Sequence, residues 1–250
     1  MNEKHKGRLI MASNSIGNNL DIPNRSLEHV READLIVFEE DKPARQVLKT
    51  AKVHREYLKY SEHNQESTLV EVRNKLKEGK TVCYMSDQGV PTLADPGKQL
   101  LEIAAEVNAS IFVIPGPSSI TSTLSACSFL TPKFYYLGFL PREEADRENY
   151  LKSLVDFPDC MVILDTPYRL KQLLTTLKSI FPPKRKILIA RDISCEGEEY
   201  INSKLESIDI EKIEGKKNFV LVLQGAQKNS ASTTFIKRKS KPSQNRRRKR

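Results

Sequence analysis

Short apolar, β-prone runs alternate with amphipathic stretches of helical period along most of this chain. Leu9-Ile10-Met11-Ala12, Leu35-Ile36-Val37-Phe38, Val82-Cys83-Tyr84-Met85 and the run over 110–114 each stop at turn-forming residues, which predicts buried strands. Between them, residues 23–32, 44–51, 65–78 and 98–108 carry helical spacing. It is best developed over 65–78, where Leu69, Val72 and Leu76 share a face and Gly79 marks the stop. A further strand is expected at 56–60. A break at Pro115-Gly116-Pro117-Ser118-Ser119 leads into a small-residue helix over 120–128. A second group follows, with strands at 134–139, 161–164, 187–190 and 219–223 and helices at 143–155 and 168–181. This alternation predicts an α/β protein whose sheets, parallel or mixed, are flanked by helices. Two α/β domains are expected, 1–130 and 131–226, divided where Phe129-Leu130-Thr131-Pro132 breaks a helix.

The charge is uneven. The formal +9 belongs to the C-terminus, because residues 228–250 hold ten of the 41 Lys and Arg and no acid. The remaining 31 basic side chains face 32 acidic ones, so the body is nearly neutral. Nine of the last fourteen residues are basic, and such a segment offsets little of its ordering entropy by burial. Residues 227–250 are therefore expected to form a disordered basic tail.

Composition narrows the classes. With 38% apolar residues over 250, the chain is large enough for ample cores, and no apolar run approaches the ~20 residues of a membrane span. The N-terminus lacks a signal-type apolar stretch. Cys83, Cys127, Cys160 and Cys195 are widely spaced, which argues against structural zinc and against a disulfide framework. A cytoplasmic protein without membrane or metal partners is expected. GxGxxG and GxxxxGK[ST] are both absent, so a standard phosphate cradle is not expected.

The candidate chemistry gathers at Thr81–Gly97, TVCYMSDQGVPTLADPG, where a strand runs into a loop rich in Gly, Pro and Asp. A loop at the carboxyl end of such a strand is where open α/β sheets bind small molecules. Asp87 and Asp95 are open to two readings: a carboxylate pair, or, for Asp95-Pro96-Gly97, the start of a helix with Asp near its cap. His63 has no second histidine near it, and a solvated loop residue is the simpler reading.

The ordered set of loops resembles the tetrapyrrole methylase superfamily, and within it the ribosomal RNA small subunit methyltransferase I family. Ser13-Asn14-Ser15-Ile16-Gly17-Asn18 stands where that family has a PTPIGN-type loop. Asp21–Leu27 is similar to its DIxxRAxxxL segment, Glu39-Glu40-Asp41-Lys42 to EDTR, and Ser61-Glu62-His63-Asn64 to HEHN. Ser86-Asp87-Gln88-Gly89-Val90-Pro91-Thr92-Leu93-Ala94-Asp95-Pro96-Gly97 nearly reproduces SDAGTPxxSDPG. The motifs PGPxA, GFLP, FYExPHR and ARELTK correspond to segments beginning at Pro115, Gly138, Leu164 (one residue inside the motif) and Ala190. The likeness spans roughly residues 8–225.

The resemblance implies a two-domain homodimer that binds S-adenosylmethionine between its domains. It implies donor contacts from Ser15, Gln88, Gly89, Val90, Leu93, Ser118, Ser119, Leu164 and Ala190. The acceptor it implies is a ribose 2′-hydroxyl of small-subunit rRNA. Such a hydroxyl needs a proton acceptor, for which Asp87 is the first candidate and Glu39 or Glu40 the next. Arg25, Arg45 and the tail residues Arg246, Arg247 and Arg248 are candidate RNA contacts. Two alternatives stay open: methylation of a small tetrapyrrole-like or corrin-like substrate, and a non-catalytic RNA-binding relative. The departures from the pattern are Val90 for Thr, Asp165 for Glu, Cys195 for Lys, Asn218 for an acid, and the missing PTP prolines.

Overall fold

The computed structural model describes residues 6–61, 64–93 and 96–227. Glu62, His63, Ala94, Asp95 and the basic tail with Arg246–Arg248 lie outside the described residues. The strands β1 (Arg8–Ala12), β2 (Leu35–Phe38), β3 (Leu58–Lys59), β4 (Thr81–Met85) and β5 (Ser110–Ile114) form one sheet in the order β3-β2-β4-β1-β5. Every neighbouring pair in it is parallel.

Strand alternation assigns the two faces. Ile10, Ala12, Ile36, Phe38, Cys83 and Met85 pack against α1 (Asn24–Glu32) and α2 (Asp41–Ala51) through Leu27, Val30, Ala44 and Val47. The intervening Leu9, Met11, Val37, Val82 and Tyr84 meet α3 (Gln65–Lys77) and α4 (Lys98–Glu106) through Val72, Leu76, Leu100 and Ile103. Covering both faces explains why these strands read as unbroken apolar runs. From β1 the chain turns toward the β2 edge, and from the neighbouring β4 it turns toward β5. The loops after β1 and β4 therefore part at a topological switch point, where such sheets open a crevice.

Asp34, just before β2, ties the base of the sheet. Its carboxylate accepts from the Thr81 amide at 2.8 Å and lies 3.5 Å from Lys80 Nζ. The Thr81 bond, opposed by burial and assisted by Lys80, holds its pKa below the ordinary value. A lowered carboxylate contributes stability above the unfolded pKa, about 4, and that contribution is lost as pH falls through the native value. Asp34→Asn should therefore lower stability at pH 7 by less than about 1 kcal/mol for so exposed a pair, with a melting temperature lower by about 2–4 °C at most, and the two proteins should converge in acid. Equal melting temperatures across pH 3–7 would remove this role.

The second sheet is mixed. Its strands are β6 (Phe134–Phe139), β7 (Cys160–Asp165), β8 (Lys186–Arg191), β9 (Glu199–Lys204) and β10 (Phe219–Leu223), in the order β6-β7-β10-β8-β9. The pair β6–β7 is parallel and the other pairs are antiparallel. One face, with Met161, Ile163, Ile189 and Leu221, packs on α6 (Glu144–Ser153) and α7 (Leu170–Ile180) through Leu151, Leu173 and Leu177. The other face, with Val162, Leu188, Ala190 and Val220, receives Ile120 and Leu124 of α5 (Ser119–Ser125), together with Phe129. Helix α5 leaves the first sheet yet packs on the second, so the two halves share a core. The spacing does not anticipate β9, an edge strand whose Tyr200, Asn202 and Lys204 are exposed and which offers no apolar run.

Candidate active site

Three loops at the carboxyl edge of the first sheet meet at Gly89. Asn14 donates its backbone N–H to the Gly89 carbonyl at 2.8 Å, and the Gly89 amide donates back to Ser15 at 3.2 Å. The Asn14 side-chain amide donates to the carbonyls of Ser86, at 3.2 Å, and Asp87, at 2.9 Å, while Ser13 Oγ donates to the Ile114 carbonyl. Gly89 has φ +68°, and a Cβ there would stand 3.2 Å from the Pro117 carbonyl and 3.3 Å from Ile16 Cγ2. Glycine is required both for the left-handed backbone and for this close approach.

Above these loops lies a cavity of about 740 Å³ that neither half encloses alone. The first half lines it with Ile16, Gly17, Asn19, Gln88, Gly89, Val90 and Leu93, and with Lys42, Pro43 and Gln46 of α2. Ser118, Ser119 and Ile120 at the start of α5 form one corner. The second half adds Phe139, Leu164, Asp165, Asp192, Ile193, Cys195, Asn218, Phe219 and Val220. Phe139 reaches the cavity after a bulge in β6, where the register shifts between Tyr136 and Gly138 and Gly138 takes φ +67°. A bulge re-aims the following side chain.

The two halves touch across the cavity mouth. The Asn18 amide donates to Ser194 Oγ at 3.2 Å, and that hydroxyl donates to the Asp21 carboxylate. Asp192 and Ser194 hold φ of +46° and +68°, a conformation disfavoured for residues other than glycine. The Asp192 loop is braced from below by reciprocal bonds with Asn218, 2.8 Å from the Asp192 amide to the Asn218 carbonyl and 3.0 Å from the Asn218 amide to Asp192 Oδ1.

Of the residues expected to contact a donor, Gln88, Gly89, Val90, Leu93, Ser118, Ser119 and Leu164 line this cavity. Ser15 and Ala190 stand behind it. Ser15 is buried and supports Gly89 through its carbonyl, and Ala190 is fully buried in the core beneath α5. Asp87 is also outside the lining. One of its carboxylate oxygens accepts from the Glu40 amide at 3.2 Å. Burial raises its pKa; the Glu40 bond opposes this and the Glu40 charge adds to it. Tyr84 donates to Glu39 at 2.6 Å, and Glu40 lies 3.8 Å from Lys59. Arg25 and Arg45 are exposed on α1 and α2 and do not line the cavity. Spacing alone misses Lys42, Gln46, Asp192, Ile193 and Asn218. The likeness of the segments at Glu39, Gly138 and Ala190 to family motifs is the signal that reaches Lys42, Phe139, Asp192 and Cys195.

The lining suits a nucleoside-bearing methyl donor. Ile16, Val90, Leu164, Ile193 and Val220 offer apolar surface for a base, and loop backbone with Ser118, Ser119 and Asn218 offers polar partners for a ribose and an amino acid. The volume falls within the usual range for small-molecule sites. Among the described residues no group of three or more His, Cys, Asp or Glu is arranged to hold a metal, and no helix is long and apolar enough to cross a membrane.

Comparison with known proteins agrees with this geometry. The profile of the Tetrapyrrole (Corrin/Porphyrin) Methylases matches residues 8–209, and the chain belongs to that family. It is 34% identical over 226 residues to the ribosomal RNA small subunit methyltransferase I of Thermotoga maritima, covering 88% of this chain and all of the relative. A conserved hypothetical protein from Aeropyrum pernix K1 shares the fold, with a TM-score of 0.67 at 16% identity over 88% of this chain and 85% of its own. The uroporphyrin-III C-methyltransferase of Thermus thermophilus, complexed with S-adenosylhomocysteine, superposes with a TM-score of 0.59 at 15% identity, covering 88% of this chain and 97% of its own. The chain is thus a methyltransferase of that family.

Proposed function

We propose that this chain methylates a ribose 2′-hydroxyl of small-subunit rRNA, with S-adenosylmethionine bound in the cavity between its halves. The observation that carries this reading is the cavity itself. It lies at the switch point of a parallel sheet, it is closed by the second sheet, and Gln88, Gly89, Val90, Leu93, Ser118, Ser119 and Leu164 line it. The relatives' names supply the RNA substrate, and no feature of the lining favours a tetrapyrrole over it.

The donor supplies an activated methyl group on a sulfonium centre. The chain's residues supply position, which can provide most of the barrier reduction for an in-line displacement. Gln88, Gly89, Val90, Leu93, Ser118, Ser119 and Leu164 form the donor contacts, Ser15 holds Gly89 in place, and Ala190 supports the floor. Asp87, outside the cavity lining but on the same loop as Gln88 and Gly89, is the carboxylate we assign to accept the hydroxyl proton, and burial raises its pKa. Asp87→Asn is expected to cut turnover on 30S particles at least about 100-fold with donor affinity retained. Unchanged turnover would remove Asp87 from the mechanism. Calorimetry with S-adenosylmethionine followed by methyl incorporation into 30S particles tests the whole reading. Donor binding without RNA methylation would favour a small-molecule acceptor, and no donor binding would favour a non-catalytic relative.

The assembly we propose is a homodimer. Ile111, Phe112 and Val113 on β5, and Phe134, Tyr135 and Phe139 on β6, are large apolar side chains left exposed on two edge strands. Monomers seldom expose such strips. A sedimentation mass of one chain at micromolar concentration would exclude the dimer. Arg25, Arg45 and the tail residues Arg246, Arg247 and Arg248 add sequence-independent phosphate contacts, and a ribosomal substrate locates the protein in the cytoplasm.

A further inference from the structure

We infer that Lys42 is the cation that receives a backbone phosphate of the acceptor strand at the mouth of the donor cavity. The inference rests on the RNA-methyltransferase reading and adds to it the residue and the wall that meet the substrate.

Lys42 is the one cationic side chain among the described residues lining the cavity. It is exposed and has no hydrogen bond or ion pair among the described residues. Its acidic neighbours are engaged elsewhere. Asp41 lies 3.1 Å from Lys59 Nζ and accepts from Tyr57 Oη at 3.0 Å, and Glu40 lies 3.8 Å from Lys59. Glu40 and Asp41 are thus drawn toward Lys59 of β3, and Glu39 is held by the Tyr84 hydroxyl, which leaves the charge of Lys42 to the cavity. The two carboxylates in the lining are likewise committed, Asp165 to Arg169 and the Thr166 amide, and Asp192 to the Asn218 amide. Gln46, one helical turn beyond Lys42 on the same face of α2, places an amide beside it.

A lysine here does nothing for a sulfonium, which it repels. Its partner is an anion, and two sources exist: the donor's own carboxylate and the acceptor's phosphate. Lys42 is exposed, which favours the phosphate, because an RNA strand approaches from solvent. Lysine serves such a phosphate as a point charge on a flexible stem.

The test uses the full chain with saturating S-adenosylhomocysteine and a labelled fragment of small-subunit rRNA, titrated from 50 to 200 mM salt. Lys42→Gln is expected to lower the slope of log affinity against log salt by about 0.7 to 0.9, the value of one phosphate contact, and to raise KM for rRNA several-fold. Calorimetric donor affinity should stay unchanged, and Lys42→Arg should restore the slope. An unchanged slope in Lys42→Gln overturns the assignment. Weakened donor binding with an unchanged slope also overturns it and gives Lys42 to the donor carboxylate. Wild-type chain that binds the donor but retains no rRNA overturns the substrate reading itself, a pattern distinct from the other two.

Discussion

Gly17→Val is expected to abolish donor binding while leaving both sheets folded. A Cβ at Gly17 would stand 2.6 Å from Cys195 Sγ, 2.8 Å from the Ile193 carbonyl and 3.0 Å from the Ser194 carbonyl carbon. Two of these are backbone atoms in a loop that cannot retreat cheaply, because Asp192 and Asn218 bind each other from below and the Cys195 amide donates to the Asp192 carbonyl at 2.9 Å. The loop after β1 must move instead, and it carries Ile16 from one wall of the cavity. The contact lies at the margin of the cluster shared by the halves, where Ile193 is part of the core and Ile16 packs against it, so the cost falls mainly on the site and only in part on the fold. Calorimetry should show donor affinity reduced at least about 100-fold, roughly 3 kcal/mol, with a melting temperature within a few degrees of wild type. Retained affinity would show that the cavity does not need the halves this close.

Arg169→Leu should strongly destabilise the second half. The Asp165 side chain is fully buried, and its Oδ1 accepts from Arg169 Nε at 2.7 Å and from the Thr166 amide at 2.6 Å. Its other oxygen is buried without a partner, so Arg169 is the only charge that compensates it among the described residues. Arg169 also donates to the carbonyls of Leu140 at 3.3 Å and Pro141 at 3.4 Å, which pins the chain directly after Phe139. Removing one partner of a buried pair costs about 3–5 kcal/mol, on the order of 10 °C in melting temperature for a chain of this size. Combining it with Asp165→Asn should recover part of the loss, since no uncompensated charge then remains. A drop below about 2 °C would mean that the carboxylate finds water or another partner when the arginine is gone.

These effects differ in how far the amino-acid pattern reveals them. The central strands are legible because helices cover both faces, so Leu9–Ala12 or Phe219–Leu223 has no polar position to interrupt it. The edge strands β5 and β6 are legible because they keep apolar runs although partly exposed. Strand β9 is not, because an edge strand needs no apolar run. The loop at Ser86–Leu93 is legible as chemistry because its Gly and Pro positions follow a strand and match a family pattern. The orientation of Asp87 is not, since only the fold brings the Glu40 amide to its carboxylate. The far wall is least legible of all. Gly17 and Cys195 stand 178 positions apart, as the numbering gives, and nothing local to either announces the other.

The placement of α5 has a consequence for how the molecule is assembled. A chain ending near residue 130 would carry the first sheet intact but leave Ile120, Leu124 and Phe129 facing water, where they invite aggregation. In the folded chain Val162, Leu188 and Val220 cover these side chains, so the first half is complete only with the second. In the proposed reading the donor site is complete only in the docked protein, so a donor at 100 times its dissociation constant would add about 2.7 kcal/mol to the joined state. Donor binding would then protect the seam between the halves as well as fill the site.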